Sequence, residues 1–103
     1  MVPERRQAIR YPFRASAEVV NTETSDGLYL VSGDLSRFGC FLQTERPFPR
    51  GTRVWIRIDY DDLTFEAWGK VAYFLPGGMG IVFTTIEHED ELVLEMWLSH
   101  KIE

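Results

Sequence analysis

Short apolar-polar runs of period two, cut by turn residues every eight to twelve positions, dominate this chain from Ala15 to Phe83. Alternation at that period sends successive side chains to opposite faces of a strand, and such spacing marks an antiparallel barrel or sandwich. Six strands are expected, at about residues 15–21, 28–36, 40–44, 53–59, 63–74 and 79–83. In the fourth, Val54, Ile56 and Ile58 form one face and Arg53, Trp55 and Arg57 the other, so one side packs inward and the other meets solvent or a partner. Pro47, Pro49 and Gly51 interrupt the chain ahead of that strand. Asp61-Asp62 turns it into the next, and Pro76-Gly77-Gly78 closes the last hairpin. Beyond Thr84 the period changes. Residues 85–102 read as a helix, with Thr84 and Glu87 spaced as a capping box, acidic residues early, and His100 and Lys101 late. Leu92, Val93, Met96 and Trp97 are its expected apolar stripe. At 103 residues, 45% of them hydrophobic, the chain suits a single packed domain. Such a core needs no disulfide or metal staple, and Cys40 has no second cysteine to bridge.

Charge is unevenly placed. The net charge of -5 argues against a general DNA or RNA binder, because a polyphosphate demands a broadly basic face. Yet residues 1–14 hold Arg5, Arg6, Arg10 and Arg14 against Glu4 alone, an excess of +3 that leaves -8 for the rest. Nine of the eleven cationic residues are arginine, whose planar fork suits bidentate contact with phosphate or guanine. The organisation expected is a basic N-terminal arm over residues 1–14, then a barrel with a C-terminal helix over residues 15–103. No stretch approaches the roughly 18 apolar residues of a membrane span, and no hydrophobic segment follows Met-Val-Pro-Glu-Arg-Arg. A cytoplasmic location without membrane insertion is therefore expected. His88 and His100 stand apart from any cysteine pair, and Asp59, Asp61 and Asp62 lack the other ligands of a calcium loop, so no metal is expected. The sequence identifies no base to activate Cys40, and no catalytic role is assigned.

Residues 34–39 read Asp34-Leu35-Ser36-Arg37-Phe38-Gly39. On a strand, Asp34 and Ser36 share one face and present a carboxylate beside a hydroxyl, while Leu35 turns toward the core. Gly39 permits a positive φ, or a close approach by a ligand where a side chain would obstruct. Taken alone, the same residues also make an ordinary turn.

Arg6-Gln7-Ala8-Ile9-Arg10, followed about two dozen residues later by Asp34-x-Ser36-x-x-Gly39, resembles the paired RxxxR and D/NxSxxG motifs of PilZ domains, bacterial receptors for cyclic di-GMP. Pro49-Arg50-Gly51-Thr52 leading into a strand, and Gly80-Ile81-Val82-Phe83 before a C-terminal helix, are similar to the same pattern. The likeness covers nearly the whole chain. Phe38 departs from it where many members carry a second glycine, and Arg5 adds an arginine beside the first motif. The resemblance implies an all-β fold with a C-terminal helix: a six-stranded antiparallel barrel with the arm laid across its surface. It implies a receptor rather than an enzyme, passing its signal to a downstream protein partner. The ligand-binding residues would be Arg5, Arg6, Arg10, Asp34, Ser36 and Gly39.

Those residues suit the ligand chemically. Guanine's O6 and N7 accept an arginine fork, and its N1 and N2 hydrogens can be received by Asp34. Ser36 and the backbone near Gly39 would meet phosphate or base. At a spacing of four on an extended arm, Arg6 and Arg10 point the same way, roughly 13 Å apart. Arg5, stacked on a guanine or paired with a further phosphate, favours two intercalated cyclic di-GMP molecules per chain. The alternative is a PilZ-like adaptor with little or no nucleotide affinity, working through exposed aromatics and its acidic surface.

Overall fold

The computed structural model describes residues 9–102. Among these, the elements run β1 (Tyr11–Pro12), β2 (Ser16–Asn21), β3 (Gly27–Leu35), β4 (Gly39–Gln43), β5 (Arg53–Tyr60), β6 (Leu63–Leu75), β7 (Gly78–Thr85) and α1 (His88–Ile102). Strands β2 to β7 form a closed six-stranded antiparallel barrel, in the order β3-β2-β5-β6-β7-β4 with β4 returning to β3. The two-residue β1 pairs with the C-terminal end of β3.

The period-two pattern sets inside and outside. Val54, Ile56 and Ile58 of β5, with Phe65, Ala67 and Val71 of β6, are at most 3% exposed. Their partners on the opposite face look outward. Asp61 and Asp62, with φ of 55° and 64°, form a two-residue left-handed turn whose twist matches the strands it joins. Pro76 and Gly77, the latter at φ 94°, occupy the two central positions of the β6–β7 turn, the order that a type II turn requires.

The helix closes the barrel's end. Trp97, 4% exposed, sets its ring 5.1 Å from Phe13, edge-on at 5.9 Å from Tyr60, and 6.3 Å from Phe65. Asp90 accepts the Glu66 backbone N–H at 2.8 Å, tying the first turn of α1 to β6. Two expectations change here. Helix was expected from Thr85 with Thr84 as its cap, but β7 runs through Thr85, which pairs with Trp68 of the long β6. A strand partner satisfies that backbone, so the helix starts at His88, and Glu91 N–H reaches the Glu87 carbonyl at 2.9 Å. The buried stripe is Leu94, Trp97 and Leu98 rather than one that includes Leu92 and Met96, which are 54% and 49% exposed. Apolar residues occupy both sides of α1, so helical spacing alone does not select the face that packs.

Candidate ligand-binding site

β1 brings the two ends of the pattern together. Its pairing aligns Tyr11 with Leu35 and Pro12 with Asp34, and Phe13 N–H donates to the Gly33 carbonyl at 3.1 Å. Arg10, just ahead of β1, therefore lies beside Asp34, and its Nη1 donates to Asp34 Oδ1 at 2.7 Å across 24 residues of sequence. Both side chains stay accessible, at 40% and 30%. An ion pair this exposed contributes at most about 1 kcal/mol, so a ligand can take its partners at little cost. The register of β3 against β4 shifts between Ser32 and Asp34. Ser32 turns inward there, fully buried, accepting Ala15 N–H at 3.1 Å and donating to the Phe13 carbonyl. The irregularity is thereby locked.

Ser36 was expected to share the face of Asp34. It lies instead past the end of β3, 2% exposed, with its Oγ accepting N–H from Phe38 and Gly39, both at 3.1 Å, and lying 3.3 Å from the Gly39 carbonyl. Its hydroxyl builds the turn that carries Asp34 at one end and Arg37 and Phe38 at the tip. Gly39 has no positive φ. The neighbouring strand requires glycine there: a Cβ would overlap the Ile81 carbonyl oxygen and stand 3.1 Å from its carbonyl carbon. Leu35 is buried as expected. Arg5 and Arg6 lie outside the described residues.

Sequence reasoning did not single out the surface beside Asp34. Phe41 pairs with Asp34 on one side and Gly80 on the other, and Gly80 pairs with Tyr73. The Phe41 and Tyr73 rings lie where Cβ atoms on Gly78 and Gly80 would project, with centroids 6.4 Å apart and planes 25° from parallel. The result is an aromatic shelf one strand from the Arg10–Asp34 pair. Aromatics laid over strand glycines are a known packing device, and the Gly78-x-Gly80 spacing was the available signal. A groove of about 480 Å³ runs past Arg14, Gly33 and Gln43.

Cys40 lies on the core side of β4, fully buried. Burial pushes its thiol pKa well up; the Asp34 carboxylate adds to this and the Arg10 guanidinium opposes it. The thiol is thus held in its unreactive protonated form. Iodoacetamide at pH 8 is expected to leave Cys40 unmodified in the native protein and to label it fully in urea, as read by mass spectrometry. Native labelling at the rate of a free thiol would contradict this placement. Among the described residues, no three His, Cys, Asp or Glu side chains gather as a metal site, and no helix is long and apolar enough to cross a membrane.

No curated protein matches the chain. Solved structures do. The PilZ domain of CeSA from a cellulose-synthesizing bacterium superposes with a TM-score of 0.75 at 21% identity, over 92% of this chain and 99% of that one. The Bacillus subtilis inhibitor of motility MotI gives 0.80 at 14% identity, covering 97% of this chain and 52% of its own. The PilZ domain of YcgR from Escherichia coli, a structure with c-di-GMP, gives 0.74 at 14% identity, over 95% and 92%. At such identities the likeness speaks for the fold. The sequence itself matches the PilZ domain over residues 4–100, and with the barrel, its helix and the meeting of Arg10 with Asp34, this chain belongs to the PilZ domain family.

Proposed function

We propose that this protein is a bacterial cyclic di-GMP receptor of the cytoplasm, with no catalytic activity of its own. The observation that carries the reading is the 2.7 Å contact between Arg10 and Asp34, which joins the two motifs at one exposed point of the barrel. A diguanylate ring presents two phosphates to arginine and two guanine edges to a fork and a carboxylate. Arg6 and Arg10 divide the phosphate and O6/N7 contacts, Asp34 takes the N1 and N2 hydrogens, and the Phe41–Tyr73 shelf offers a flat apolar surface against which a base can lie. Ser36 and Gly39 act through the turn that fixes Asp34. Similarity to the YcgR domain, described with c-di-GMP, agrees with this assignment.

Binding fixes the leader ahead of Tyr11 over the ligand, and that ordered leader is the feature a downstream protein reads. Fixing each backbone residue costs about 1 to 2 kcal/mol, so affinity depends on every guanidinium that anchors the leader. Calorimetric titration of the full chain with cyclic di-GMP is the test. The expected stoichiometry is two ligands per chain, falling to one in Arg5→Ala. Absence of binding would overturn the receptor reading, and one ligand per chain in both proteins would overturn the role of Arg5.

A further inference from the structure

The nucleotide site proposed above makes no use of the outer side of α1. Leu92 and Met96 face solvent one turn apart, and Phe38, at the tip of the Asp34–Gly39 turn, is 49% exposed. Phe38 and Leu92 border a cleft of about 490 Å³ between that turn, the end of β7 and the helix. The core does not need these side chains, because Leu94, Trp97 and Leu98 of the same helix already fill it. The rim is acidic. Glu91 and Glu95 border the cleft, and Arg37, which also borders it, has its guanidinium held by Glu95. Glu89, about one turn before Leu92 on the same helix, adds negative charge, whereas Glu87 and Asp90 border a separate groove with Trp55 and Trp68.

We propose that this cleft docks a segment of another protein that carries apolar side chains flanked by lysine or arginine, in the form of a basic amphipathic helix. Apolar anchors three and four residues apart suit a groove bordered by Phe38 and Leu92. Basic flanks complement the rim, guide encounter and exclude acidic competitors. The same charges disfavour anionic lipid and a second copy of this acidic surface. The inference goes beyond nucleotide binding and stands without it.

The probe is a fluorescent peptide of leucine and lysine at amphipathic helical spacing, titrated against the full chain by anisotropy. The wild type is expected to bind it, with affinity falling about tenfold or more in Leu92→Ser and in Phe38→Ser. Tyr29→Ser, which alters an 82% exposed side chain on β3, is expected to bind like the wild type, and replacing the lysines of the peptide by glutamate is expected to abolish binding. No binding by the wild type, equal binding by the Leu92 and Phe38 variants, or equal binding of the acidic peptide overturns the proposal. A wild-type dimer in sedimentation equilibrium that Leu92→Ser dissolves also overturns it, by assigning the face to a second copy. Circular dichroism of each variant separates lost docking from lost fold.

Discussion

Arg10→Ala is expected to weaken cyclic di-GMP binding about a hundredfold while changing folding stability by no more than about 1 kcal/mol. The asymmetry follows from where Arg10 sits. In the free protein its guanidinium meets Asp34 at 2.7 Å with both groups well exposed, and pairs in water contribute little. Against the proposed ligand the same fork would make two parallel bonds, an arrangement worth about 1 to 3 kcal/mol of discrimination at a guanine edge. The substitution would also leave Asp34 uncompensated near the phosphates of the proposed ligand, a like-charge penalty that compounds the loss. Together these reach the roughly 2.7 kcal/mol that a hundredfold change requires. Arg10→Lys keeps the charge and loses the fork, so it is expected to restore only part of the affinity. Titration calorimetry for binding and urea denaturation for stability give the two readings. A binding change below threefold would remove Arg10 from the site, and a matching loss of stability would make its role structural.

The barrel was legible because its determinants are local. Val54, Ile56 and Ile58 alternate with Arg53, Trp55 and Arg57, and Asp61-Asp62 and Pro76-Gly77 announce the turns that fold those strands back. The motif residues were legible as types at a spacing. What lay beyond reach depended on which strand sits beside which. The role of Ser36 emerges only when Gly39 closes the turn on its hydroxyl. The Phe41–Tyr73 shelf requires β4, β7 and β6 in register. Shifts between Ser32 and Asp34, and between Val71 and Tyr73, move that register, and no period-two count contains them. The start of α1 was missed for the same reason: Thr84 and Thr85 carry a plausible cap, but β6 extends far enough to claim them as strand.

Gly39→Val is expected to remove about 4 kcal/mol of folding stability, a large share of the roughly 5 to 15 kcal/mol available to a domain of this size. Overpacking typically costs about 1 to 3 kcal/mol when side chains can move aside. Here they cannot. A Cβ at residue 39 overlaps the Ile81 carbonyl oxygen and lies 3.3 Å from the Val82 Cα, so the obstacle is backbone at the β4–β7 seam, where Gly39 pairs with Val82. Relief requires the two strands to part, breaking ladder bonds and opening the barrel beside the fully buried Cys40 and Leu42. The turn closed on Ser36 would be displaced with them, taking Asp34 from Arg10, so whatever protein remains folded is expected to bind cyclic di-GMP poorly as well. Gly27→Ala is the matched control: its Cβ would meet nothing nearer than 3.6 Å, and its midpoint is expected close to wild type. In urea, with a slope of about 1 to 1.5 kcal/mol per molar for a small domain, the Gly39 variant should unfold roughly 3 M earlier. A shift below about 0.5 M would mean that β4 and β7 do not approach as closely at this point as the structure has them.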